Sequence, residues 1–543
     1  MARLTGLLKK LEVPYEGGTL PNRWINNDIK PIEKGRRTWT FWTFHNLWVL
    51  TNTNISTYMT GSSLIALGLT WWQAIIVIVV GAILSTVFIV LNSMPGAYYH
   101  LGFPIANRYV WGMYGSSFVI YNRILLSLVW YAVQAWIGGR CVYVCLEAIW
   151  PNLEERIPNH LHATGLTSAS FLTYWIFCLI SLPLIWIRPH KLKAFLYIGV
   201  ASIMVFEIVL LIWALATMDG FGDTITGRPD TQDTSVGWSI MYGIISAIGG
   251  IAAGILNQSD YARFTRRPRD AIYGQLASAA TYSIMSSVVG ILVTAATQRR
   301  YGAPLWSLPD LLIAMMHAGG SRSRAAGFFG GVALVVSQWG INIPGNALSG
   351  GFDFAATFPS APLDGGQPVA TAGNSVHVSG RSLELWVFLG PMTGLMISSY
   401  YIVNRRKIKV DDLFRGNKTS IYWYSYGINW RAPLAWAIGV FPSMPGFVSN
   451  VNNDIHISIG WTRVYYLSFL VGFAMAAVVF VALHHFFPAP SVKDFVLSPA
   501  TAKLVMAEYQ ARWDATEENG IAIPSESVVP KDAHDLESFP KDI

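Results

Sequence analysis

The chain has 543 residues, of which 52% are hydrophobic and 13% charged, with a net charge of +7 and a mean hydropathy of +0.39. A soluble domain carries about 25% charged residues, so this composition excludes a water-soluble globular protein and makes the bilayer the solvent. Cys141, Cys145 and Cys178 all sit in apolar runs, which argues against a disulfide framework or a zinc site, and the positive charge suits basic loops beside a membrane rather than nucleic acid.

Residues 1–40 are polar and basic, read as a cytoplasmic tail without a cleavable signal. Apolar runs long enough to cross about 30 Å of hydrocarbon follow. They predict spans over 41–66, 70–92, 120–148, 168–187, 193–216, 236–259, 273–297, 325–349, 385–404, 431–450 and 461–487. Residues 41–487 are thus the membrane domain, and 488–543 read as a polar, disordered cytoplasmic tail. Trp71, Trp72, Trp430 and Trp461 fall near span ends, where interfacial belts explain them.

Basic clusters orient the chain. Arg36 and Arg37 precede span 1, Arg188 to Lys193 follow span 4, Arg263 to Arg269 follow span 6, and Arg405 to Lys409 follow the 385–404 span. All belong in the cytoplasm with the N-terminus inside. Arg299, Arg300, Arg322 and Arg324 are the exception on the outer side. With eight spans complete by residue 349, one more crossing is needed before 385, yet residues 358–384 hold four glycines, three prolines and no apolar run. Eleven spans where twelve satisfy the charges mark a ninth span that is missing or degraded, the kind of defect a misread exon produces.

Polar groups inside apolar runs mark the candidate site, because such groups in a membrane are functional by default. Trp130 and Gln134 are one helical turn apart in span 3, placing an indole and an amide on one face, as a flat polar heterocycle requires. The polar stretch Thr51–Thr57 predicts unwinding within span 1, and Gly249, Gly250 and Gly254 predict a matching interruption in span 6. In span 8, Asn342 and Asn346 flank Pro344 and Gly345, where a broken helix would aim two amides at a heterocycle edge. Glu207 is the carboxylate deepest in an apolar run and the candidate proton carrier, with His45 a weaker one; Asp260, near a span end, suits an ion pair with Arg263 closing a cytoplasmic gate.

These residues resemble the nucleobase:cation symporter family, in particular its fungal uracil, uridine and allantoin permease branch. The likeness rests on Arg37–Trp42, Asn54–Ser63, the Trp130/Gln134 pair, Asn257–Phe264, Asn346 with Asp353, Phe388–Gly394 and Gly427–Ala432. It implies an all-α integral membrane fold of two inverted five-helix repeats plus two extra helices. It further implies that Trp130 stacks on the substrate, that Gln134 hydrogen-bonds it, that Asn346 contacts it from span 8, and that Phe388 and Met392 shape an outer gate or specificity filter, with Phe388 counted, like Asn342, among the substrate-binding candidates. Trp39, Met392, Asp260 and Asp353 would gate. Hydantoin-transporting relatives carry a second stacking tryptophan where this chain has Ile251, and sodium-binding hydroxyls where it has Gly340 and Ile341. A hard cation needs oxygen ligands, so proton coupling is favoured over sodium. The expected function is import of uracil, uridine, allantoin or a purine by proton symport, with no cofactor, no metal and no enzymatic step. A thiamine or nicotinamide riboside carrier of the same fold, or a non-transporting product, are the alternatives.

Overall fold

The computed structural model describes residues 24–25, 29–161, 166–185, 193–217, 235–348, 350–351, 385–452, 454–498 and 507. The expected defect at 358–384 and Asp353 lie outside the described residues.

Among the described residues the protein is built of helices, ten of them long and apolar enough to cross a membrane. The expected first span is instead two 12-residue helices, α1 (Phe41–Asn52) and α2 (Ile55–Ala66). There follow α3 (Trp71–Tyr99), the short α4 (Phe103–Trp111), α5 (Ser116–Ile149), α6 (Ser168–Ile185), α7 (Lys193–Thr217) and α8 (Val236–Leu256) with its one-turn continuation α9 (Gln258–Ala262). Next come α10 (Pro268–Tyr301), the short α11 (Leu308–Ala318), α12 (Ser321–Asn342), α13 (Trp386–Ser398), α14 (Arg431–Val440), α15 (Met444–Val451), α16 (Ile459–Tyr465) and α17 (Ser468–Phe486). Wider π-type turns extend α12 over Ile343–Leu348 and α13 over Ser399–Val403.

Two short helices were not expected. α4 has all nine residues buried, with Arg108 Nη1 donating to the carbonyls of Trp24 (2.9 Å) and Leu413 (2.7 Å). It is too short to span and too mixed to show a period. α11 packs against α5 and α12 instead of crossing. The tails also differ from expectation. Ile29 and Ile32 are buried, and residues 491–496 form a turn of helix whose Phe495 and Val496 pack on Ile421.

The helices sort into two packed bodies. α10 lies along α1, α2 and α3, and α3 also carries α8. α5 packs on α6 and α12, and α12 on α7. The buried apolar residues form two main clusters, one centred on residues such as Trp48, Val77, Ile248 and Ile291, the other on Phe177, Ile203, Leu312 and Leu334 and also taking in Ile55 and Tyr58 of α2 and Val293 and Ala296 of α10. Helices in lipid associate by close packing of small residues rather than by hydrophobic exclusion. Gly61 and Gly290 show this: a Cβ on Gly61 would collide with the Ser287 backbone, and one on Gly290 with the Tyr58 carbonyl.

The basic clusters of the N-terminal segment, of the loop after α9 and of the loop after α13 converge at one end of the bundle. Trp39 exchanges backbone hydrogen bonds with Phe264 and Arg266, and Tyr99 Oη donates to the Arg406 carbonyl at 2.6 Å.

The α2–α10 contact predicts that Gly61→Ala costs about 1–3 kcal/mol by overpacking. The thermal midpoint of purified protein in detergent should fall, while Gly35→Ala, at a position with open space around it, leaves it unchanged.

Candidate functional site

The site begins with the interruption between α1 and α2. Thr53 and Asn54 leave helical geometry, and neighbouring polar side chains satisfy the groups this frees. Asn54 Oδ1 accepts the Thr57 N–H at 3.0 Å, and its Nδ2 donates to the Thr51 carbonyl at 2.6 Å. Asn52 Nδ2 reaches across to the Ala279 carbonyl on α10 at 2.7 Å. The polar residues that forecast the interruption thus also make it tolerable in hydrocarbon. In span 6 the break lies elsewhere than expected: α8 runs through Gly249, Gly250 and Gly254 and ends at Leu256, with Asn257 as the joint to α9. Gly249 instead makes room for the Trp386 ring, while Gly250 and Gly254 face a cavity.

That cavity, of about 1070 Å³, lies between the two bodies. Trp130 and Gln134 of α5 line it, as the one-turn spacing predicted, together with Ser56, Thr57 and Thr60 of α2. Gly250 and Ile251 of α8, Gly340 and Ile341 of α12, and Asn346 complete the wall. Gln134 is 5% exposed, and its Nε2 donates to Ser56 Oγ at 3.0 Å. Behind it, Gln338 Nε2 donates to both the Gln134 carbonyl (3.0 Å) and its Oε1. Asn346 Nδ2 donates to Asn342 Oδ1 at 2.9 Å, and Asn342 Nδ2 to the Tyr131 carbonyl at 3.2 Å. An indole, a fixed amide, a hydroxyl and a second amide around one space can stack on a flat ring and pair its edge.

Two expected contacts and one expected gating residue do not line this cavity. Asn342 is 1% exposed and ties α12 to α5. Phe388 turns into an aromatic cluster, with ring centroids 6.3 Å from Trp436 and 5.4 Å from Phe447. Met392 is buried within the packing of α13. On α13 it is Trp386 that reaches the cavity, a residue that the sequence did not single out. Ser56 and Gln338 were also missed. Gln338 is an amide in an apolar run, the same signal that singled out Gln134.

Glu207 of α7 is 5% exposed and accepts from Ser286 Oγ on α10 at 2.6 Å. Ser286 Oγ is in turn 3.5 Å from the Asn54 carbonyl at the interruption. His45 Nε2 meets Tyr282 Oη at 3.2 Å, apart from this group.

Aromatic rings and an ion pair gather at the end carrying the basic clusters. Trp39 stacks on Tyr261 and Phe264, with interplanar angles of 22° and 28°. Asp260 pairs with Arg123 of α5 at 2.7 Å, and its Oδ1 accepts the Phe103 N–H at 2.8 Å. Arg123 is a partner that the sequence did not show, because nothing in it indicated that α5 approaches here; the Arg263 guanidinium lies on the same side, with its Nη1 and Asp260 Oδ1 both beside Gly102. Burial and the Arg37 guanidinium push His100 down to about 4, so its neutral ring meets the Arg263 carbonyl at 2.8 Å. At the opposite end Arg140 and Asp310 pair at the cavity wall at 2.5 Å.

Comparison with known proteins agrees with this architecture. The family of permeases for cytosine/purines, uracil, thiamine and allantoin matches residues 31–472. The chain is 32% identical to the allantoin permease of Saccharomyces cerevisiae over 513 residues, covering 91% of this chain and 80% of that one. It is 32% identical to the uracil permease of the same yeast over 485 residues, covering 86% and 76%. Among solved structures it resembles Mhp1, a nucleobase-cation-symport-1 family transporter, in a closed conformation with bromovinylhydantoin bound. There the TM-score is 0.67 at 20% identity, covering 89% of this chain and 99% of that one. Inward-facing Mhp1 gives a TM-score of 0.68 at 18% identity, covering 93% and 100%.

The Arg123–Asp260 pair yields a stability prediction. Arg123 is 4% exposed, so Asp260→Asn removes a carboxylate charge from beside a buried guanidinium, a loss of up to about 3–5 kcal/mol when burial is complete and less here, where the Asp260 side chain is 15% exposed and Arg123 keeps its contact with the Phe103 ring. The thermal midpoint should fall, and the exchanged double variant Arg123→Asp/Asp260→Arg should recover part of it. A double variant no better than the single one would refute the pairing.

Proposed function

The chain belongs to the family of permeases for cytosine/purines, uracil, thiamine and allantoin, and from that premise we propose that it imports a nucleobase-like heterocycle by proton symport. Uracil, uridine, allantoin or a purine is the substrate class. The protein is a multi-pass membrane transporter, and the proposal places it in the plasma membrane with its N-terminus in the cytoplasm. The convergence of the basic clusters at the end holding residues 29–40 supports that orientation.

The observation that carries the reading is that Trp130, Gln134 and Asn346, from two helices, meet Ser56 at one cavity between two groups of packed helices. Alternating access needs such a site, because rocking one body against the other exposes the same ligand to each side in turn. The ring stacks on Trp130, and Gln134 and Asn346 pair its edge. The packed cluster of Trp39, Tyr261, Asp260 and Arg123 closes the cytoplasmic end.

Proton coupling is assigned to Glu207. A charged acid at mid-membrane costs about 2.5–3.5 kcal/mol on insertion scales, so this carboxyl is stable when protonated and strained when not. Through Ser286 it neighbours the Asn54 carbonyl, so its proton biases the geometry of the interruption beside Ser56. Gly340 and Ile341 present no side-chain oxygen to the cavity, which favours a proton over a sodium ion.

Two outcomes test this in cells lacking their own permeases. Uptake of radiolabelled uracil, allantoin or hypoxanthine should rise as the medium is acidified and stay constant when sodium is replaced; Glu207→Gln should make it insensitive to pH. Strict sodium dependence would overturn the coupling. Trp130→Ala removes a stack of about 1–3 kcal/mol, so apparent affinity should fall roughly 5- to 150-fold with the protein still at the membrane.

A further inference from the structure

Gln134 has an amide that can present either a donor or an acceptor to a ligand, and which one it presents decides what the site selects. The neighbouring groups settle the choice. Gln338 is fully buried on α12 and does not line the cavity. Its terminal atom lies 3.0 Å from the main-chain carbonyl of Gln134. A carbonyl oxygen only accepts, so that atom is the Gln338 nitrogen. The same nitrogen contacts the Gln134 side chain, and the atom it meets there must be Oε1. The remaining atom of Gln134 is therefore its NH2 group, which faces Ser56 Oγ at 3.0 Å. Ser56 itself cannot impose this choice, because a hydroxyl rotates to donate or accept and lies 3.1 Å from Gln134 Oε1 as well.

Gln338 gains little stability for itself. Its Oε1 is buried and has no hydrogen-bond partner among the described residues, so an apolar side chain of similar size would suit the position better on packing grounds alone. The polar head of Gln338 has its consequence at Gln134.

We propose that Gln338 is a specificity-determining positioning residue, which holds the Gln134 amide with its NH2 towards the ligand and so selects ring edges bearing a carbonyl over edges bearing an exocyclic amine. The inference rests on the reading of the Trp130/Gln134 cavity as the substrate site. A ligand carbonyl takes over the hydrogen bond that Gln134 gives to Ser56. An amino group in the same place meets the NH2 of Gln134, donor against donor, and a buried mismatch of that kind discriminates strongly.

The test uses two matched pairs that differ by the exchange of carbonyl for amine: uracil against cytosine, and hypoxanthine against adenine. Binding to the purified full-length protein is followed by quenching of tryptophan fluorescence. The parent protein should prefer the oxo member of at least one pair. Gln338→Leu frees the Gln134 amide to flip, so the preference should shrink at least tenfold, chiefly through tighter binding of the amino member. Gln338→Glu, which keeps the shape, accepts when ionised and draws the NH2 of Gln134 towards itself; the preference should then weaken or invert, and it serves if the leucine variant does not fold. Equal weakening of both members would show a merely structural role and overturn the inference, as would an unchanged ratio or a parent protein without oxo preference. Gln134→Ala separates the two levels. If it weakens binding while the Gln338 variants keep the ratio, only this inference fails; if it changes nothing, the substrate site itself has been misplaced.

Discussion

A helix can be interrupted in hydrocarbon only where other groups take up the hydrogen bonds it loses. The rest of this protein is arranged around one such interruption, at Thr53 and Asn54. Asn54 caps the helix that follows and holds the turn that precedes it, and Asn52 ties the same point to α10. This places Ser56 at the first turn of α2, with its hydroxyl against Gln134, and it brings the Asn54 carbonyl near Ser286 and so within reach of Glu207. One backbone feature therefore borders both the proposed substrate pocket and the proposed proton site. That is a physical basis for coupling, since each event changes the hydrogen bonding of the same few residues.

The division of the apolar core into two bodies matters as much as the interruption. A single continuous core would leave no space for a ligand and no plane along which to rock. Here α2 and α10 are in backbone contact through Gly61 and Gly290, which binds the helices of the first body closely together. The second is held by α5, α6, α7 and α12. The contacts that cross between the bodies include apolar ones, such as Ile55 and Tyr58 of α2 against the second core, and polar ones: Ser56 to Gln134 at the cavity, Glu207 to Ser286 beside it, Arg123 to Asp260 at one end. Hydrogen bonds and ion pairs can be exchanged for ligand contacts or water without tearing a packed core, and so they suit a gate.

Much of this was legible before the fold was known, and the reasons differ residue by residue. Trp130 and Gln134 were recognisable because one turn of helix alone places them together. The span 1 interruption was recognisable because a run of threonines and asparagines competes locally for backbone hydrogen bonds. The interruption in span 6 was misplaced because glycine has two uses in a membrane helix. Gly249 serves close packing against Trp386, while the joint falls at Asn257. Phe388 and Met392 were expected at the cavity, but the rotation of α13 sends them into packing and brings Trp386 to the wall.

The amino-acid sequence by itself determined the solvent, most of the helical spans and the two side chains that a single helix turn sets side by side, because hydropathy and helical period are local properties. Only the tertiary structure decided that Arg123 meets Asp260, that Gln338 orients Gln134 and that Ser286 joins Glu207 to the interruption. Those pairs lie 79 to 204 residues apart along the chain, and which face of one helix meets another depends on how all the helices pack together.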